Sequence, residues 1–599
     1  MTGSHGVSDP GADIDPPPID QQGRREYDAP GPPSADAASR ERVLERFFTS
    51  YYRLHPVNAT FTGVHDFDAS LPDWSPEGLS AARREMSDLR RELATAGLGV
   101  LDDQALAARD WTAIDGALAD AFLEVELMEL DTAHYQRGNL SLAVGEAVFS
   151  IIALMTRSFA GIEQRAVAAA SRLRAFPLFL VGVRRTLEST VIPEVWRERV
   201  LRECRGGQFV LDHVDAWLDA EGAPASARTD ARIGLALARE SLTWFASFVA
   251  SLKPARPDRC AVGTTVLELL LRRCHWVDAS PTRLRAEAHQ AFDEELRRLD
   301  ELIRHAGFNA WNEVQEELAR HHPAPDGLVP ALDSTWHSCR DIATAQQLLT
   351  WPDAPIRFTP IPRWTRAAAP YLYYLNYRSP AAFDDAPVAD YTIPSVESLP
   401  DDSARESALR TWNTTAIKLN HVVHHAAVGH QVQNWHARRA ASRIGQIAAT
   451  DCACRIGMLC GGTMAEGWAC YATDVMEDAG FFTPLEQVAQ QHTRVRILAR
   501  AVVDLELHTR RLSFDDAVAL YVGIVGMSPD AARAETVKNS MFPGTAVMYW
   551  LGTHAIHQLR SARLQQLGDR FSLRAFHDEL LSFGSIPVAL AARIITLSS

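Results

Sequence analysis

The chain has 599 residues, 47% hydrophobic and 23% charged, and carries a formal net charge of −15. At roughly 150 residues per domain that length amounts to about four domains, and the composition is that of a soluble globular protein, not a collagen, a coiled-coil rod or a wholly disordered chain. The acidic excess argues against a general nucleic-acid or anionic-membrane binder, which needs a basic stripe, and leaves a small-molecule or short-peptide substrate open.

Residues 1–40 hold seven Pro and five Gly with almost no large apolar residues. Such a segment buries too little surface to offset its ordering entropy, so it reads as a disordered tail, with one large helical domain over 41–599 that could form two lobes. The start of the chain has neither the basic head nor the apolar core of a secretory signal. No stretch approaches about 20 uninterrupted apolar residues, and eight cysteines are too few for a disulfide scaffold. These features point to a cytoplasmic protein without a membrane span. They say nothing of oligomeric state.

From Arg42 onward apolar residues recur at three- and four-residue spacing. Val43, Phe47, Tyr51 and Leu54 open the first helix, which His55-Pro56 ends. The run LSAARREMSDLRRELATAG and the segment RLRAEAHQAFDEELRRLDELIRHAG have the same texture, with charged outer faces. Strand-like residues gather only at 355–395, rich in Tyr and Pro. The fold class is therefore mainly α, with one small irregular or β insertion.

The segment 411–440 holds His421, His424, His425, His430 and His436. In a regular helix His421 and His425 lie roughly 40° apart on one face, the spacing of zincin histidines. His424 and His430 lie roughly 120° apart and converge only if the helix loosens, for which Gly429 is the place. Downstream, Gly461-Gly462-Thr463 reads as a helix start, with Thr463 and Glu466 in capping-box positions. Glu466 is then either a cap partner or a carboxylate aimed at the histidines.

The stretch HHAAVGHQVQ followed by AEGWACYATDVMEDAGFF resembles the bacterial domain-of-unknown-function 885 family. Further resemblances lie in HPVNATFTGVHDFDASLPDWSPEGL, RVRILARAVVDLELH, FPGTAVMYWLG and GDRFSLRAFHDELLSFGSIPVALA, in order, across residues 42–595. The resemblance implies a helical, zinc-metallopeptidase-like fold, with His424, His430 and Glu466 as metal ligands and Zn2+ as the cofactor. Fe2+ is the alternative for two His and one carboxylate. The sequence departs from the family at the position of the expected Glu base, which is His425. It keeps Tyr549, a candidate oxyanion donor, and His508, a candidate catalytic or ligand-orienting residue.

Three readings follow. The first is a metal-dependent hydrolase of amide-type bonds with His425 as base or extra ligand. The second is a non-hydrolytic biosynthetic metalloenzyme doing condensation, elimination or Fe(II) redox work. The third is a catalytically inactive metal-binding homologue. Secondary candidates are Cys452, Cys454, Cys460 and Cys470, with His554 and His557. To these are added Arg494, Arg496 and Arg500 as anion holders, and Tyr371, Tyr373, Tyr374 and Tyr377 as cleft walls.

Overall fold

A computed structural model of the chain describes residues 35–132, 139–187, 191–372, 377–384, 388–450 and 455–598. It is mainly helical, as the spacing of apolar residues predicts. The amphipathic runs become the helices Ala35–Leu54, Pro76–Thr95 and Pro281–His305. Two of them start on serine caps whose hydroxyls accept a backbone N–H, Ser75 from Gly78 at 3.0 Å and Ser280 from Arg283 at 3.3 Å.

The first helix begins at Ala35, so residues 35–40 belong to it and not to a tail. Their small alanines favour a helix, and Arg40 pairs with Asp110 at 2.8 Å. Residues 1–34, where the rest of the expected tail falls, lie outside the described residues. The 355–395 region supplies a three-stranded sheet. Ile356–Pro360 runs parallel to Ala389–Ile393, which pairs antiparallel with Tyr377–Arg378. A second, smaller sheet joins Val191–Pro193 to Lys253–Ala255.

Two large hydrophobic cores organise the helices. One is built mostly from Ser141–Thr156, Ile162–Thr186, Glu194–Ala220 and Ala225–Ser251. The other gathers the N-terminal helices and nearly everything after Thr264. A cavity of about 510 Å3 lies between them, with Glu146, Arg199 and Glu203 from the first group of helices and His424, Glu466 and Tyr549 from the second.

The helix Ile162–Thr186 is, among the described residues, long and apolar enough by length and composition to cross a membrane, although charged residues interrupt it. It packs within the first core. Its Arg172 is fully buried and bonds the carbonyls of Ser150 and Ser70 and the Thr60 hydroxyl, contacts that tie it to the rest of the fold.

Candidate metal centre

The histidines stand on backbone that is not a regular α-helix. Ile417–Ala426 is a π-helix, a wider turn that recurs at functional sites. The chain then breaks, with Ala427 at φ −130°, ψ −115° and Gly429 at φ −72°, ψ −117°, and an α-helix restarts at His430. At the break the Gly429 amide donates to the Val423 carbonyl at 2.8 Å. A Cβ at 429 would lie 1.8 Å from the His424 carbonyl oxygen, so only glycine permits this close approach. Two buried indoles pin the break, Trp336 donating to the Ala426 carbonyl at 2.7 Å and Trp468 to that of Val428 at 2.9 Å.

This path brings together side chains that a straight helix would separate. His424, His425 and His430 each offer a ring nitrogen, and the three atoms lie within 4.8 Å of one another. The Glu466 carboxylate faces them, its Oε2 at 3.6 Å from His424 Nε2 and 3.8 Å from His430 Nε2. His425 Nδ1–H donates to the Asn420 carbonyl at 2.6 Å, and His430 Nδ1–H to the Gln433 amide oxygen at 3.3 Å. Such outward commitments fix ring orientation and leave each Nε2 as the inward lone pair.

Burial holds the His424 and His425 imidazoles below their ordinary pKa, and neighbouring rings push His425 further down. The neutral imidazole is the metal-binding form. Burial opposes the charge on Glu466, yet its partners His424 and His430 hold the carboxyl well below the usual carboxylate range. Neutral imidazoles beside an ionised carboxylate, opening on a cavity, are a donor set that fits a divalent ion such as Zn2+ or Fe2+.

Glu466 is free for this position because it is not a cap partner. Its helix, Gly462–Asp478, continues directly from the π-helical turn Gly457–Gly461, and no side chain caps its start. The Thr463 hydroxyl instead accepts the Val588 amide at 3.1 Å. The capping-box spacing was coincidental. Gly467 allows the helix Met548–Leu567 to cross at backbone contact. A Cβ on Gly467 would lie 2.5 Å from Gly552 Cα. That crossing sets Tyr549, one turn before Gly552, on the wall of the same cavity, with the Arg500 guanidinium 5.1 Å over its ring.

His421 is not part of the cluster. It stacks on Trp412 at 3.9 Å and hydrogen-bonds the Tyr391 hydroxyl at 2.6 Å, a packing role. His508 is a correction to its reading as a catalytic residue. It is fully buried and is not among the residues lining the cavity. Its Nε2–H donates to the Asn539 carbonyl at 2.9 Å, which fixes the chain ahead of Tyr549. His554 and His557 also lie off the cavity, bonded to Gln558 and Asp474. Cys452, Cys454, Tyr373 and Tyr374 fall outside the described residues. Cys460 and Cys470 are buried, Cys470 on the cavity wall. Tyr377 lines the cavity and donates to Asn434 at 2.8 Å, whereas Tyr371 packs on Phe209.

Two groups escaped the reading of residues one at a time. Asp504 accepts the amides of Gly544 at 3.0 Å and Val547 at 2.9 Å, and so shapes the turn that presents Tyr549. Its place four residues before His508 was the available signal. Glu146, on a helix far away in sequence, lines the cavity as a buried carboxyl raised by burial to about 7. Nothing in its local sequence marks it.

The family described as "Bacterial protein of unknown function (DUF885)" matches residues 56–595. No curated protein matches the chain. Among solved structures, a candidate lipoprotein of unknown function from Shewanella oneidensis aligns with a TM-score of 0.73 at 18% identity, covering 94% of this chain and 100% of that one. A candidate lipoprotein from Colwellia psychrerythraea aligns at 0.72 and 15% identity, covering 93% and 98%. At these identities the likeness is one of fold.

Proposed function

This chain belongs to the bacterial family DUF885, and from that premise and the geometry above we propose that it is a metal-dependent hydrolase of amide-type bonds. The observation that carries the reading is the convergence of His424, His430 and Glu466, with His425 beside them, at the wall of a cavity large enough for a short peptide. His424, His430 and Glu466 would hold the ion, Zn2+ in the first instance. When bound, such an ion polarises a substrate carbonyl and acidifies water.

The protein's own groups supply the rest. His425 keeps its Nδ1 proton on the Asn420 carbonyl, so its bare Nε2 accepts the proton of the attacking water and returns it to the leaving nitrogen. The Tyr549 hydroxyl donates to the oxygen that gains charge as the carbonyl carbon becomes tetrahedral. Asp504 and His508 hold the turn before Tyr549 without touching substrate. A second reading, non-hydrolytic metal-dependent chemistry, is favoured by one observation. The expected carboxylate base is replaced by an imidazole that burial keeps weakly basic.

Elemental analysis of the purified wild type beside His424→Ala and Glu466→Ala tests the proposal. About one ion per chain in the wild type, lost in both variants, is the expected result. Zinc favours hydrolysis, and iron the second reading. A wild type that stays metal-free after metal-replete expression overturns both.

A further inference from the structure

The helix Pro484–His508 runs along the cavity and carries Arg494, Arg496 and Arg500. Arg494 bonds Asp474 at 2.6 Å and also Glu477. Arg500 grips Glu535 with two bonds, at 2.8 and 2.9 Å. Arg496 lies between them on the cavity wall. Four arginines line this cavity, and three of them bond carboxylates: Arg199 with Glu203, Arg455 with Glu126, and Arg500 with Glu535. Among the described residues Arg496 has no carboxylate partner, and its Nε is buried without a hydrogen bond.

The Glu535 carboxylate acts on this guanidinium electrostatically but is bonded to Arg500, so the place of a directly bonded counter-ion is left to whatever fills the cavity. Arg496 lines the same cavity as His424, Glu466 and Tyr549, the groups of the proposed chemistry. A guanidinium fork matches a planar carboxylate through two parallel bonds, and one unpaired cation matches a monoanion.

We propose that Arg496 binds a carboxylate of the substrate, so that the bond cleaved lies next to an acidic end, as in a short peptide with a free C-terminus or an N-acyl amino acid. The assignment rests on the hydrolase reading for its chemistry, but not for its anion site, which needs no metal. It makes Arg496 the specificity-determining residue of the cavity.

The test uses the full chain after treatment with a chelator. N-acetyl-dialanine, its C-terminal amide and inorganic phosphate are titrated calorimetrically into the wild type, Arg496→Gln and Arg496→Lys. The free acid should bind the wild type, weaken at least about ten-fold in Arg496→Gln, and weaken less in Arg496→Lys, as loss of a charge-assisted pair requires. The amide should bind the wild type no better than the acid binds Arg496→Gln. The melting temperature of Arg496→Gln should stay at or above that of the wild type, because no bonded ion pair is being removed.

Equal binding of acid and amide overturns the proposal. So does unchanged affinity in Arg496→Gln, binding of phosphate alone, or no binding of either peptide. If the peptides behave as expected while elemental analysis finds no metal, the hydrolase reading falls and the carboxylate site stands. The reverse pair of results removes only the site.

Discussion

At the scale of single residues, the central question is what His425 does with its inward nitrogen. The same lone pair can take a proton or a metal ion, and the hydrogen bond to Asn420 orients it for either. As a base it is dispensable for metal retention, so His425→Asn should keep the wild-type metal content by elemental analysis. A content as low as that of His424→Ala would make His425 a ligand and the site a closed one. The family motifs made His424, His430 and Glu466 legible from sequence. Spacing alone pointed to His421 and His425, because a periodicity argument assumes an α-helix: it marked Gly429 as the place where the helix could loosen, but not the π-turn that precedes it. The candidacy of His508 failed for a related reason. A motif marks a position as constrained, but not whether the constraint is chemistry or packing, and here it is packing.

At the scale of elements, the site depends on how closely two helices cross. Gly467 meets Gly552 at backbone distance, and this brings the Glu466 helix and the Tyr549 helix to one wall. Gly467→Ala should lower stability by roughly 1–3 kcal/mol, the range for overpacking a tight contact, read as the midpoint of urea unfolding. A methyl group at Gly523 would meet nothing within 4 Å, so Gly523→Ala serves as the control, with no loss. Equal midpoints for the two variants would refute the steric account. The amphipathic helices and the strand-rich insertion could be read from periodicity. The crossing could not, because Gly467 and Gly552 are 85 positions apart and each alone looks like an ordinary helical glycine. The false capping box shows the same limit, since Thr463 found its partner at Val588.

At the scale of the whole molecule, buried titratable groups set the response to acid. Burial pushes His55 and His421 down to about 3, and His275, His492 and His577 down to about 4. The unfolded chain takes up protons near 6.5 while the native one does not, so these five groups cost stability as pH falls from about 6.5 toward 4. Burial raises Asp115 to about 6, and Glu146 and Asp504 to about 7. Those three have the opposite sign, their contribution fading as pH rises from the usual carboxyl range toward 7. Each factor of ten in proton affinity corresponds to about 1.4 kcal/mol, and five histidines outweigh three carboxyls. The midpoint of chemical unfolding should therefore be lower at pH 5 than at pH 7, and an equal or higher midpoint would contradict the balance. The division into two cores with a cavity between them was only a suggestion in the sequence, because it is made by contacts between segments hundreds of residues apart.

The bond from Val588 to Thr463 has a consequence for when the centre can exist during synthesis. The helix bearing Glu466 is braced by a backbone group made 125 residues later than the hydroxyl it binds, and by the crossing at Gly552. A nascent chain presents His424, His430 and Glu466 well before either brace has left the ribosome. Under the proposed function, loading with an ion would therefore follow synthesis of the helix Val588–Leu597, and proteolytic loss of that helix would empty the site as surely as removing a ligand.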